Sequence, residues 1–585
     1  MSRKQADAKA APAAHDPVLL ALVQNRLDHI SQQMGHVMLR TARSPIFQSH
    51  DFSCFVTGGA GQLVSQADGC PVHTGSGGFA VRGILKDFGA DIAPDDAFLV
   101  NDPYLGGGNH LPDWVIARPV FVADRLVAFT CNRAHQSDIG GGAAGTYNPR
   151  ATEIFHEGLR LPPVKVAERG RIRKDLWNLL LANTRTPDFL DGDLRAMLGS
   201  TQIGAERVGQ LFDELGLDEG LRYVDGILDH AERRMRAEIA ALPDGVYVGE
   251  ETANSDCFER MEVLYRVTVT IRGDSMTVDF AGTSPQMKGF KNSSIANTHS
   301  MVYVGIGSFF QPEMPRNEGT FRPVKVEVPY GCTLNPRPPA ATTFATAFPA
   351  HDVIQAIWKA LAQAAPERAV AGWGKAIIPI SAGRQPTTGA QYVLYHWNGL
   401  SGSGAVQGRD GLNQIAHLSS LGGLTLPNVE TWEQLYPVRV VRHEFREDGG
   451  GAGEWRGGTG VDYVADVLTP AEYSFRGEGL YDPSGFGHAG GQPGAPGALH
   501  VTLPDGKRHE PPQYSLENLP PVRIHNLSPG GGGLGEPKRR APEAVLRDVR
   551  DGVVSRGAAE RLYGVVIAAD GRSVDLEATR KRRAA

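Results

Sequence analysis

HLPDWVIARPVFVADRLVAFTCNRAH, residues 110–135, reads as a β-hairpin with chemistry at its open end. Trp114 to Val122 is strand-like, so is Leu126 to Ala134, and Ala123-Asp124-Arg125 supplies a short polar turn between them. A register symmetric about Asp124 sets Val122 against Leu126 and Asp113 against His135. Directly opposed residues project from one face, with Cβ atoms roughly 5 Å apart. His110 stands just ahead of the first strand, and Pro112 marks that approach as loop rather than helix turn. Two imidazoles and a carboxylate then converge on one point. That is the ligand set of an open divalent-metal site, which a fourth group or a water completes. The ordinary alternative is a hydrogen-bonding role, since a single histidine near a strand end is more often that than a ligand, and two-His-one-carboxylate matches also arise by chance.

Working outward, 585 residues are too many for one core, and about two to four domains are expected. The apolar fraction of 41% and the aromatic fraction of 8% are ordinary for a globular protein. A net charge of −6 gives no nucleic-acid footprint. The Arg580–Arg583 run reads as a solvated tail. The 71 glycines are the compositional oddity and imply many turns and close backbone approaches. The five cysteines, Cys54, Cys70, Cys131, Cys257 and Cys332, form no CxxC pair, so neither a disulfide framework nor a zinc ribbon is indicated. Met1 to Ala14 lacks the apolar core of a signal peptide, and no run approaches the ~20 apolar residues of a membrane span. A soluble cytoplasmic protein is expected, with no nucleic-acid or membrane partner.

The order of elements points to an α+β fold of mostly antiparallel sheets with packed helices, several domains and glycine-rich loops. Asp16-Pro17 starts a helix, and Leu19, Leu22, Val23, Leu27, Ile30, Met34 and Val37 recur at helical spacing. Strands follow around 51–56 and 63–66, with Gly58-Gly59-Ala60-Gly61 as their turn, and a helix is expected over Gly75–Phe88. Asp191 to Leu242 is helical with an interruption near Gly216–Gly220, and Pro243-Asp244-Gly245 ends it. Val246 to Val278 then alternates as antiparallel strands. Ser300–Phe310 and Val353–Ala365 read as helices packed on that sheet. Beyond Trp373 the chain is glycine-rich and β-leaning until helices at Pro542–Arg550 and Ser555–Tyr563, the latter with Ser555 as N-cap and Gly564 just past its end. The expected organisation is a disordered tail over 1–14, a metal-binding α+β region over 15–243, a middle α+β region over 244–372, and a glycine-rich β-leaning region over 373–585.

Competing motifs fail on context. Gly530, Gly532 and Gly535 match GxGxxG, but a dinucleotide site needs a helix starting there, and Glu536-Pro537 argues against one. A glycine-rich structural or active-site loop is the better reading. No Walker A loop and no GxSxG elbow exist. Cys54 and Cys131 sit in strand-like runs and read as small buried hydrophobes rather than nucleophiles. His73, after Cys70-Pro71-Val72, lies where a loop is expected to begin, either lining the site or in a plain polar role.

The stretch Asn101-Asp-Pro-Tyr-Leu-Gly-Gly-Gly-Asn-His-Leu-Pro-Asp113 and then Asn132-Arg-Ala-His-Gln-Ser-Asp-Ile-Gly-Gly141 resembles the hydantoinase B/oxoprolinase family. Asp51-Phe52-Ser53, Ala151-Thr-Glu-Ile-Phe-His-Glu157-Gly158, Val278-Asp-Phe-Ala-Gly-Thr-Ser-Pro285, Asn428-Val-Glu430 with Tyr436-Pro437, Trp455-Arg-Gly-Gly458 and Ser528-Pro-Gly-Gly-Gly-Gly533 continue the resemblance in order. So do Asp548, Ser555 and Tyr563-Gly-Val565. It covers nearly the whole chain.

The resemblance implies one subunit of a heteromeric enzyme that opens cyclic amides such as hydantoins, 5-oxoproline or lactams. It implies a hydantoinase A-like companion that phosphorylates the substrate oxygen, so ATP acts only through that partner. It implies one divalent ion (zinc, manganese or iron) held by Asp51, His110, Asp113 and His135, with Asp113 and His135 catalytic. Asp51 comes from the resemblance alone. Phosphorylation turns a resonance-stabilised lactam carbonyl into an activated imidate, which a water of lowered pKa on the ion can attack at neutral pH. Asp138 is a candidate orienter of a ligand imidazole, or else a turn-capping aspartate ahead of Ile139-Gly140, and His73 a candidate for the same outer layer. Asn109, Gln48 and Ala144-Gly145-Thr146-Tyr147 depart from the family pattern around those ligands. That leaves open a ketone carboxylase subunit of the acetone or acetophenone carboxylase kind, and a scaffold with a structural ion.

Overall fold

The computed structural model describes residues 15–584 except Asp68, Ala416 and Pro427, and, for Thr74, the backbone alone. The tail expected over 1–14 lies outside the described residues. The chain is built of helices and mainly antiparallel sheets, as the alternation of periods predicts.

The sheet that carries the hairpin has seven strands: β1 (Phe52–Gly58), β2 (Leu63–Gln66), β3 (Ala97–Val100), β4 (Asp113–Val122), β5 (Arg125–His135), β6 (Val164–Glu168) and β7 (Arg171–Ile172). Their order is β2-β1-β5-β4-β3-β6-β7, and every neighbouring pair is antiparallel. β4 is apolar on both sides because both its faces are covered. Trp114 and Ile116 join one core; Val115 and Ala117 join another with Ala80, Val81 and Ile84 of the helix Gly77–Phe88. The first face is packed by the helices Pro17–Thr41 and Pro187–Leu215. In the former, Asp16 accepts from the N–H groups of Val18 and Leu19, and Val23, Leu27, Ile30, Met34 and Met38 form the buried stripe. Leu22 lies outside that stripe, 54% exposed, and Met38 takes the inward place expected for Val37. One left-handed residue, Gly216, separates Pro187–Leu215 from Leu217–Ala240.

A second sheet holds β8 (Gly245–Ser255), β9 (Arg260–Arg272), β10 (Ser275–Asp279) and β11 (Val324–Glu327) in the order β11-β10-β9-β8, with β10 and β11 parallel. The helices Ile295–Phe309 and Phe348–Ala364 share its core. Two more antiparallel sheets, of four and five strands, come from residues 380–527. No helix among the described residues is long and apolar enough to cross a membrane. All five cysteines are buried and unpaired.

Between these C-terminal sheets, extended segments bond sideways without forming β ladders. Gly530, Gly531, Gly532 and Gly533 donate to Ala495, Gly458, Gly372 and Gln492, while Gly531, Gly532 and Gly533 accept from Gly451, Ala405 and His488. A Cβ on Gly530 would stand 1.7 Å from the Gly449 carbonyl oxygen, and one on Gly532 1.9 Å from that of Phe486. Only glycine fits at such a distance, as at the axis of a collagen-like bundle. The GxGxxG match is thus structural: its amide groups are committed to neighbouring chain and have no donors left for a phosphate.

Candidate metal centre

β4 begins with Asp113 and β5 ends with His135, and the two are register partners. The turn is tighter than the three residues read from the sequence. Ala123 and Asp124 both adopt left-handed backbone (φ 46° and 61°), which makes a two-residue turn, so Val122 faces Arg125 and Phe121 faces Leu126. A bulge beside Val120 and Phe121 takes up the extra residue and restores the expected register from Val120 to Asp113.

Asp51 reaches the same place through the sheet. β1 pairs with β5, Phe52 opposite Ala134, and the N–H of His135 donates to the Asp51 carbonyl at 3.1 Å. His110 comes from the loop before β4, which Asn101 holds by donating to the Leu111 carbonyl and accepting from the N–H of Leu161. His73 is not on a loop. It belongs to a short helix, Pro71–Thr74, started by Pro71 and anchored by reciprocal bonds of 3.0 Å between Ser53 Oγ and the Cys70 backbone.

Asp113 is the hub of this cluster. Its Oδ1 lies 2.8 Å from His110 Nε2 and 3.2 Å from His135 Nδ1, and its Oδ2 lies 3.3 Å from His73 Nε2. His73 Nε2 is 3.6 Å from Asp51 Oδ1. All five side chains are buried. His110, Asp113 and His135 form one group able to hold an ion, and Asp51, Cys70 and His73 form a second beside it.

The donor set fits a cation. His110 Nδ1 bonds to the Thr343 carbonyl, which can only accept, so Nδ1 carries the hydrogen. The bare lone pair of Nε2 then faces the Asp113 carboxylate without hydrogen-bond geometry, and two acceptors that close need a positive charge between them. His73 Nδ1, His135 Nε2 and Asp113 Oδ2 are also buried without partners. Burial pushes His73 and His135 down to about 4, which leaves the neutral imidazoles that ligate metals. Burial, with repulsion from Asp113, raises Asp51 well above the carboxylate range. Burial also opposes charge on Asp113, and it is positive charge on the neighbouring rings, His110 first and then His73, that would hold that group well below its ordinary value when they are protonated.

Asp138 does not reach the cluster. Its carboxylate accepts from the N–H groups of Gly140, Gly145 and Arg185 and pairs with the Arg185 guanidinium at 3.1 Å, so it caps the loop after β5 instead of orienting an imidazole. Glu157 takes the outer role. It is buried, pushed up to about 7 by that burial, and accepts from the N–H groups of Thr342 and Thr343, fixing the carbonyl that His110 bonds. Glu157→Ala is expected to weaken metal binding by roughly 10–100-fold while turnover at saturating metal stays near normal. A metal titration that finds unchanged affinity would exclude this role.

The cluster opens on a cavity of about 40 Å³, lined also by Tyr147, Tyr395, Trp397, His417 and Arg476. That is room for an ion with a few waters, or with one small oxyanion in their place. The Tyr147 ring stacks 5.7 Å from that of His135, and the Tyr395 hydroxyl donates to the Gly145 carbonyl at 2.6 Å. Tyr395, His417 and Arg476 were missed in the sequence because no local pattern ties residues so distant to the hairpin.

A sequence profile described as hydantoinase B/oxoprolinase matches residues 16–537. The chain is 36% identical over 589 aligned residues to caprolactamase subunit beta of Pseudomonas jessenii, covering 97% of this chain and 99% of that one. The crystal structure of the ATP-dependent caprolactamase from Pseudomonas jessenii superposes with a TM-score of 0.90 at 35% identity, over 98% of this chain and 100% of that one. Nucleotide-free acetone carboxylase superposes with a TM-score of 0.88 at 22% identity, over 97% of this chain and 83% of that one, a likeness of fold alone.

Proposed function

The chain belongs to the hydantoinase B/oxoprolinase family, and on that premise we propose that it is the metal-bearing subunit of a heteromeric, ATP-dependent cyclic amidohydrolase. Its substrate class is the hydantoins, 5-oxoproline and lactams, and its companion is a hydantoinase A-like ATPase that phosphorylates the amide oxygen. The observation that carries this reading is the acceptor-on-acceptor contact of His110 and Asp113 inside a buried His/Asp cluster. Asp51, His110, Asp113 and His135 are the proposed ligands of one divalent ion (zinc, manganese or iron), and His73 sits between the two carboxylates. When bound, such an ion lowers the pKa of a coordinated water to about 7.

The chain's own residues do the rest. Burial keeps His73 and His135 unprotonated at neutral pH, free to bind metal or take a proton. Asp113 and His135 are the residues on which turnover depends. The aromatic wall of Tyr147 and Tyr395 limits the space beside the cluster and keeps bulk water out. Water adds at the activated carbon and the ring C–N bond opens, the amine nitrogen taking the proton and the carbon keeping its phosphoryl group as an acyl phosphate; a second water then releases the carboxylate and phosphate. The committed amide groups of Gly530–Gly533 take that glycine loop out of consideration as a phosphate cradle, and the nucleotide is assigned to the companion. Five unpaired cysteines support a cytoplasmic location.

The test is a reconstitution with the companion subunit. Ring opening is expected only with both subunits, a divalent metal and ATP together. A pair that opens no cyclic amide, or opens one equally well without ATP, would refute the proposal. Bicarbonate-dependent consumption of a ketone would instead assign the ketone carboxylase reading.

A further inference from the structure

We propose that Arg476 forms an oxyanion subsite beside the metal cluster and holds the phosphoryl group of the activated cyclic amide, an inference that rests on the function proposed above. Arg476 follows the strand Ala471–Phe475, and its backbone carbonyl is fixed by the N–H of Ile378 at 3.2 Å. The residue is 5% exposed and lines the same cavity as Asp51, His73 and His135.

Its environment is unusual for a buried cation. Among the described residues no carboxylate oxygen lies within 4.0 Å of its guanidinium. Its Nε has no hydrogen-bond partner. Cations close by in the same interior are matched: Lys375 pairs with Asp352 and Glu478, each at 2.7 Å, and Lys291 pairs with Glu478 two residues beyond Arg476. An uncompensated buried charge is costly, so a site that keeps one has a use for it.

The geometry suits a planar oxyanion fork. The guanidinium carbon lies 3.5 Å from the centre of the Tyr147 ring, and the Phe344 ring is 5.2 Å away. The close contact with the Tyr147 ring holds the group in place, and none of its N–H groups is given over to a carboxylate. Arginine binds phosphoryl oxygens in this two-pronged manner. A neutral lactam carries no charge until it is phosphorylated, and the phosphoryl group is then its one strong anion. The Asp51 carboxylate lines this cavity and that of Asp113 lies just behind His73, 3.3 Å from its Nε2, so a phosphoryl dianion needs a cation other than the ligated ion to enter. A substrate carboxylate would present the same oxyanion chemistry, and the choice of probe separates the two.

The experiment uses inorganic phosphate on the full chain loaded with Mn²⁺, read by ³¹P relaxation. Phosphate is expected to sense the ion in the wild type, and Arg476→Gln to weaken its binding by at least about tenfold with Mn²⁺ content and melting temperature unchanged. Acetate as competitor is expected to displace phosphate poorly; if it displaces it as well as phosphate itself, the phosphoryl assignment falls. Arg476→Lys keeps a point charge without the fork and should recover part of the binding. It is the informative variant if the glutamine form fails to fold. In the reconstituted complex, Arg476→Gln should raise KM for ring opening or uncouple it from ATP consumption. Arg476-dependent phosphate binding without any ring opening would overturn the function and leave the subsite. Ring opening and phosphate binding by Arg476→Gln and Arg476→Lys within twofold of wild type would overturn the subsite and leave the function.

Discussion

Asp113→Asn is expected to empty the cluster of metal and cut ATP-dependent cyclic-amide opening by roughly 10³-fold or more, the scale set by losing a water made nucleophilic at neutral pH. The substitution is isosteric, so packing survives. What disappears is the charge that faces His110, His135 and His73 together. No other cluster residue touches three partners at these distances, which is why this position should outrank His73 or Asp51. Elemental analysis of the purified subunit and turnover with its companion check the result. A chelator gives the matching control. It should lower the melting temperature of the wild type, because an ion that binds only the folded state stabilises it by mass action, and leave the variant where it was. A variant that retains one equivalent of metal and full turnover would show that the ion is held elsewhere.

The second large effect lies far from the chemistry. Gly530→Ala should cost roughly 4 kcal/mol or more and leave little soluble protein, because the added carbon would stand 1.7 Å from the Gly449 carbonyl oxygen and 2.5 Å from its carbon, both backbone. No side-chain movement relieves such a contact; a whole segment must shift, and with it the bond from the Gly530 N–H to Ala495 and the one from the Ala495 N–H to the Gly449 carbonyl. Gly209→Ala is the counterpart. That glycine lies inside the helix Pro187–Leu215 with open space around it, and alanine there should stabilise by about 0.5–1 kcal/mol. Urea midpoints of both variants decide the matter. A Gly530→Ala protein with the wild-type midpoint would mean that the bundle is loosely packed.

The hairpin was legible because its two signals, alternation and a central turn, are both local. The error at its tip is instructive. A three-residue turn and a two-residue turn with a bulge place Asp113 opposite His135 equally well, and side-chain pattern does not separate them. Asp51 was beyond reach for a different reason: its neighbour is fixed by the β1–β5 pairing, and strand pairing at long range leaves no periodic mark. His73 sits on a helix of four residues, too short to show a period, and held in place by the Ser53–Cys70 bonds. Asp138 is near the hairpin in sequence, yet the N–H groups of its own loop claim its carboxylate first. In the first helix, Leu22 fitted the spacing but faces solvent, since a stripe read to within one residue still leaves its edge undecided.

The proposed ligands stand at the ends of three neighbouring strands, Asp51 ahead of β1, Asp113 opening β4 and His135 closing β5. An ion seated there would rivet one rim of the central sheet, tying Asp51 to the distant β4–β5 hairpin at a point that ladder hydrogen bonds and core packing otherwise hold in line. Loss of metal would therefore loosen this rim first, and starvation for the ion would be felt as fraying of the scaffold as well as silence of the catalyst.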